Sequence, residues 1–221
     1  TAQPSIGRFV EVYDELGKNG DSVISIQMMR SISGTVDAAR QAADITETNV
    51  TVVDSDFTSR SMGMIVKEAA KAAQEGKTVE EILEIVEDAK KRTTLYLTVV
   101  NLDNLIKGGR ISQVMGMFSN LLNIKLFLQV INGKIEIIQK GRGLKSLQKK
   151  YDEIFEQMKA TPNGIQEIGI MHAGLSDFNE GNIARVRELF PDVPLTIVTT
   201  SPIIMSHTGV DAMAITYLEN K

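Results

Sequence analysis

The chain has 221 residues, 43% hydrophobic and 24% charged, with a formal net charge of −4 at pH 7, a composition of one large or two small globular domains rather than of a disordered segment. It holds no cysteine and two histidines, His172 and His207, which excludes disulfides, thiolate nucleophiles, cysteine-ligated metals and a histidine-rich metal centre. Trp is absent and aromatic residues are 5%; with the acidic balance this argues against nucleic acid, and no apolar run nears the roughly 20 residues that cross a bilayer.

Taken in chain order, Phe9, Val12, Tyr13 and Leu16 recur at helical spacing and predict a helix over 8–16. Asn19-Gly20 turns the chain, Ser22–Met28 alternates as a strand, and Ser31–Thr35 is a small-residue loop leading into an alanine-rich helix over Val36–Ala43. Val50–Asp54 is a short apolar run, expected as a buried strand. Met62, Val66, Ala69 and Ala73 form the next helix face, stopped by Gly76. Thr78 with Glu81 spells a capping box for a helix to about Lys91, and Leu95–Val100 follows as a strand. Strands alternating with helices predict βαβ units and a largely parallel, Rossmann-like sheet in a domain over 1–110.

The second half reads differently and is expected as a separate α/β layered domain over 111–221 with a mixed or antiparallel sheet. Gly108-Gly109 breaks the chain, and 111–122 reads as a Met- and Phe-rich helix. Two apolar runs joined by Asn132-Gly133 signal a hairpin over 125–139 with a type I′ turn. Leu144, Leu147, Tyr151, Ile154, Phe155 and Met158 make a helix face stopped by Thr161-Pro162-Asn163-Gly164. A strand over 167–171, a helix over 179–190 and strands over 195–200 and 212–218 complete the pattern. The chain begins at Thr1 without an initiating Met, and the expectation is that an N-terminal stretch is missing.

No P-loop, GxGxxG, GxSxG or HExxH motif is present. Three small polar segments stand out instead: Thr1–Ser5, Ser31–Thr35 and Ser206–Gly209. A Ser-, Gly- and Thr-rich loop between strand and helix offers hydroxyls and amide N–H groups to an anion, while Ser33 or Thr35 equally suits plain helix capping. His207 suits an ordinary loop histidine as well as a ligand contact; His172, at a strand end, suits the structural role. Val114, Met115, Met117, Phe118, Leu121 and Leu122 are too many apolar residues for one helix face. They fit either core packing or the lining of an irregular apolar cavity, which Met suits. Lys134–Lys150 carries six basic residues against one acidic, Glu136, which is either a solvated hairpin and helix face or an anion or partner surface.

Together these segments resemble the DegV family. The resemblance rests, in order and in spacing, on Thr1-Ala-Gln-Pro-Ser5, Ile32-Ser-Gly-Thr35, Asn101 to Ser112 with its Lys107-Gly-Gly-Arg110 core, Leu121-Leu-Asn-Ile-Lys125, Gly133-Lys-Ile135, Gly141-Arg-Gly143 and His207-Thr-Gly209. It covers essentially the whole chain, with about one strand–helix–strand stretch more before Thr1 in family members. It implies a two-domain bacterial, cytoplasmic α/β protein that binds a long-chain fatty acid in an enclosed apolar tunnel. It also implies a role as the lipid-binding subunit of a fatty acid kinase. That subunit is not an enzyme alone. It presents the carboxylate to a separate kinase subunit and carries the acyl phosphate, with no cofactor beyond the bound lipid, no nucleic acid partner, and room for transient membrane contact.

Matched residue by residue, the resemblance places the head group at Thr1, Ser33 and His207, with Gly34 and Thr208 beside them. It places the tunnel lining at Val114, Met115, Met117, Phe118, Leu121 and Leu122. Arg110, Arg142 and Lys145 fall at the basic positions near the carboxylate end or the kinase-docking face. The chain departs from the family at Ala2, where Ser is usual, at Val36, where an aromatic is usual, and at Val210, where Gly or a small residue is usual. Two other classes compete: an acyl hydrolase or transferase with Ser33 as nucleophile and His207 as base, for which no orienting carboxylate is identifiable, and a lipid-sensing regulator.

Overall fold

The computed structural model describes residues 1–110 and 123–221. They form two compact units, Thr1–Lys91 with Asn132–Lys134, and Arg92–Ile131 with Ile135–Lys221.

The first unit is an α/β layer around a two-stranded sheet. Helix α1 spans Ile6–Gly17, β1 Val23–Gln27, α2 Thr35–Ala43, β2 Val50–Asp54, α3 Ser59–Gln74 and α4 Val79–Arg92. Strands β1 and β2 pair in parallel from Val23↔Val50 to Gln27↔Asp54. The core holds Met29, Val36, Met64, Ile65 and Val86 with Ala38, Ala39, Ala42, Ala69, Ala72 and Ala89, small side chains that let helices approach the sheet closely. Local signals work as their chemistry dictates. Ser5 caps α1, accepting from Arg8 N at 3.3 Å. Gly76, at φ 77°, ends α3 in a Schellman motif: Gly76 N donates to Ala73 O at 3.0 Å and Lys77 N to Ala72 O at 3.2 Å. The capping box forms in both directions, Thr78 N to Glu81 Oε2 at 2.8 Å and Glu81 N to Thr78 Oγ1 at 3.3 Å.

The second unit is built on a six-stranded mixed sheet of order β5-β4-β3-β8-β6-β7. Its elements are β3 Thr93–Val99, α5 Asp103–Gly108, β4 Ile124–Ile131, β5 Lys134–Arg142, α6 Leu144–Lys159, β6 Ile165–His172, α7 Asp177–Leu189, β7 Leu195–Thr199, α8 Pro202–Thr208 and β8 Met213–Glu219. Strand β3 runs antiparallel to β4 and β8, β8 antiparallel to β6, and β6 parallel to β7. Asn132 and Gly133 turn the hairpin with φ of 50° and 69°, the paired positive values a type I′ turn requires. Helix α6 lays Leu147, Tyr151, Ile154, Phe155 and Met158 on the sheet. Phe127 and Tyr151 meet edge to face at 4.9 Å, and the buried Tyr151 hydroxyl is matched by Thr98 Oγ1 at 3.0 Å, as a buried phenol requires.

The fold is α/β with one parallel and one mixed sheet, as expected. The difference lies at β3. The alternation of strands and helices assigns it to a domain over 1–110, whereas its hydrogen bonds lie with β4 and β8, and the compact units divide between Lys91 and Arg92. Periodicity identifies a strand but not its partners, and α4 passes into β3 with no intervening loop to mark a boundary. Two short helices, α5 and α8, also replace stretches read as irregular. The expected helix over 111–122 lies outside the described residues.

Candidate functional site

Site residues of the first unit gather where β1 ends and α2 begins. In α/β layers ligands meet the carboxyl ends of strands, where loops pass to helix starts. Here the loop 28–34 carries the polar segment. Ser33 Oγ accepts from Thr35 N at 3.3 Å and shares a hydrogen bond with Thr35 Oγ1 at 2.7 Å. Gly34, the residue before α2, makes no side-chain cap, so Ser33 does that work from one residue earlier. The pair holds two hydroxyl protons and uses one between them. When Thr35 donates, Ser33 accepts both bonds and its own O–H is left to point at a ligand, strengthened as a donor by the bonds it accepts.

Gly34 leaves room for a neighbour. A β-carbon there would overlap Gln3 Oε1, inside the 3.0 Å that real β-carbons essentially never breach. The segment Thr1–Ser5 is thereby seated on the α2 start, and Thr1 itself is exposed. Val36, a departure from the family pattern, is fully buried in the core. Beside this loop, Asp54 at the end of β2 accepts from Arg30 N at 3.1 Å and Asp56 N at 2.9 Å, and Arg30 Nε reaches Asp37 at 2.9 Å. Asp54 escapes sequence reasoning, its one cue being the Asp-Ser-Asp run after a β-branched strand, whereas Gln3 and Thr35 lie within the polar segments that stand out.

In the second unit, α5 and α8 bring Asn101–Arg110 against Ser206–Gly209. Asn104 Nδ2 donates to Ser206 O at 3.1 Å, and Arg110 Nη1 donates to Gly108 O at 2.8 Å. His207 is not a loop residue. It sits half-buried in the last turn of α8, with Gly209 at φ 77° closing the helix behind it. Burial first, and the Arg110 charge second, hold the imidazole below its usual pKa, so it is neutral near pH 7. Thr208 is buried and its hydroxyl donates to Ile204 O at 3.2 Å within its own helix. Val210 turns outward, 65% exposed.

The structure thus brings Ser33 and Gly34 together with Gln3 of the Thr1–Ser5 segment, and His207 and Thr208 together with Gly108 and Arg110. Arg142, the last residue of β5, and Lys145, in the first turn of α6, are exposed at the corner between those elements. Val114, Met115, Met117, Phe118, Leu121 and Leu122 lie outside the described residues. His172 is buried in the sheet between Met213 and Thr199, its Nδ1 making no hydrogen bond among the described residues. Among the described residues no group of three or more His, Asp or Glu side chains could hold a metal ion, and no helix is long and apolar enough to cross a membrane.

The family model for DegV proteins, described as "Uncharacterised protein, DegV family", matches residues 1–220. A DegV domain-containing protein of Streptococcus pneumoniae serotype 4 is 41% identical over 215 residues, covering 97% of this chain and 76% of its own. Among solved structures, a fatty-acid-binding DegV family protein from Thermus thermophilus superposes with a TM-score of 0.84 at 29% identity, over 99% of this chain and 78% of that one. The Streptococcus pneumoniae Fatty Acid Kinase (Fak) B3 protein, loaded with linoleic acid, superposes with a TM-score of 0.81 at 26% identity over the same shares.

Proposed function

The chain belongs to the DegV family, and from that premise we propose that it binds a long-chain fatty acid, presents the carboxylate to a separate fatty acid kinase subunit and carries the resulting acyl phosphate. The observation that carries this reading is the likeness, along nearly its whole length, to a fatty-acid-binding protein and to a fatty acid kinase protein loaded with linoleic acid. The residues fit the chemistry. A carboxylate withdrawn from water needs donors, and Ser33 with Thr35, His207 and Thr1 can supply them. The acyl chain gains about 0.8 kcal/mol for each methylene removed from water. A sixteen-carbon tail therefore contributes on the order of 10 kcal/mol before binding costs are subtracted. The tail dominates affinity, and the polar loops orient a carboxylate that stays within reach of the kinase. That kinase transfers a phosphoryl group from its nucleotide to a carboxylate oxygen, leaving the bound acyl phosphate and a nucleoside diphosphate.

The test is denaturation of the purified protein, organic extraction and fatty-acid mass spectrometry, with intact-mass measurement of the protein itself. A long-chain fatty acid near one per chain, released without a covalent adduct, is the expected outcome. No fatty acid, or an acyl group carried covalently on Ser33, overturns the carrier reading, the second in favour of an acyl transferase.

A further inference from the structure

Gly108 has no conformational reason to be glycine. It closes helix α5, and its φ lies outside the left-handed region where side chains are strained; alanine is the better helix former at such a position. Its reason is spatial. A β-carbon at 108 would overlap His207 Nδ1, well inside the 3.0 Å that real β-carbons essentially never breach, with Cγ and Cε1 each 3.3 Å away. The imidazole therefore lies with its Nδ1 edge against the bare backbone of Gly108, and Nδ1 is buried there. The surroundings hold this arrangement from both sides. Asn104, one turn earlier in α5, ties Ser206 O to its amide at 3.1 Å, and Arg110 Nη1 grips Gly108 O at 2.8 Å.

We propose that Gly108 is a positioning residue for His207: its missing side chain is the seat for the Nδ1 edge of the ring, which turns Nε2 outward as the atom that meets the lipid head group. This rests on the head-group role proposed for His207 and adds to it which ring nitrogen acts and what sets the choice. A neutral imidazole has one N–H. With Nε2 facing a carboxylate, that proton belongs on Nε2, and the ring donates without rearranging. Any side chain at 108 displaces the ring and misaims the donor.

The test compares Gly108→Ala, His207→Ala and the double variant with the parent, using oleate titration and side-chain nitrogen NMR of histidine-labelled protein. His172 and His207 are the two histidines, so His207→Ala assigns the spectrum. Gly63→Ala, whose β-carbon would meet nothing within 4 Å, is the control. Oleate is expected to shift Nε2 of His207 in the parent far more than Nδ1. Gly108→Ala should lose that response and weaken oleate on the order of tenfold, the loss of one hydrogen bond to a charged group. The double variant should bind no worse than His207→Ala, because the two changes remove the same contact. A response on Nδ1, or a Gly108→Ala variant that binds as the parent while His207→Ala does not, overturns the Gly108 inference and leaves the role of His207 standing. Parent-like binding by both single variants overturns both. If Gly108→Ala fails to fold, recovery of folding in the double variant supports the contact with the imidazole, and failure of both overturns it.

Discussion

At the scale of single residues, the proposed head-group role of His207 couples charge to ligand. Burial and the Arg110 guanidinium both disfavour its protonated form in the free protein. A bound carboxylate reverses part of that, since an adjacent negative charge favours the imidazolium. Binding therefore raises the pKa and draws a proton from solution. The expected outcome is fatty acid affinity that strengthens as pH falls through the bound-state pKa and levels off below the free-state value. Calorimetry near pH 7 in two buffers of different ionisation enthalpy reads the proton directly: fractional uptake in the parent, none in His207→Ala. Equal apparent enthalpies for the parent in both buffers would exclude this coupling. Stability runs with the opposite sign. A histidine whose folded pKa is depressed contributes stability above its unfolded value of about 6.5, and that contribution is lost as pH falls through the folded pKa. The unliganded parent should therefore lose stability on mild acidification that the His207→Ala variant retains.

At the scale of elements, the start of α2 shows why capping and ligand binding are hard to separate in a sequence. In the proposed reading one hydroxyl serves both: Ser33 Oγ accepts from Thr35 N, and when Thr35 Oγ1 donates to it as well its own proton is left for a ligand. Ser33→Ala should therefore lower thermal stability by about 1 kcal/mol, the usual worth of a cap, and also weaken fatty acid binding by about 1.5–3 kcal/mol. A variant that melts lower but binds as the parent would reduce Ser33 to a cap. Elements of this kind were legible because their causes are local. The Thr78–Glu81 box, the Gly76 terminus and the Asn132-Gly133 turn each lie within six residues and formed as read. Helix α8 carried its own signal, Ser201 at the cap and Pro202 at the first position. Its seven residues are too few for a period to show. The membership of β3 was not legible at all, because it depends on β8, more than a hundred residues on.

At the scale of the whole chain the same limit governs the site. The polar segment Ser206–Gly209 stands out in the sequence, but Asn104 and Ser206 are 102 residues apart, and only folding shows that Gly108 answers to His207. Charge is the whole-molecule property that sequence does carry, and the structure sharpens it. Lys145 lies in the first turn of α6, a turn with no acidic residue and a helix with no side-chain cap. A cation there opposes the helix dipole at a cost of about 0.3–1 kcal/mol, so the helix itself gains nothing from it. Together with exposed Arg142 and Lys149, it suits an acidic partner surface. Lys145→Glu should relieve the dipole and add a Glu–Lys149 pair one turn on, worth about 0.2–0.5 kcal/mol. Thermal stability should hold or rise, and fatty acid affinity should stay that of the parent. Acyl phosphate formation with the kinase subunit should nonetheless slow several-fold, most at low salt, because exposed charges steer association and are screened within roughly 10 Å at 0.1 M salt. A more stable variant that works less well separates a docking role from a folding role. Parent-like rates at every salt concentration would return the patch to ordinary solvated surface, and an equal fall in lipid affinity would move it into the ligand site.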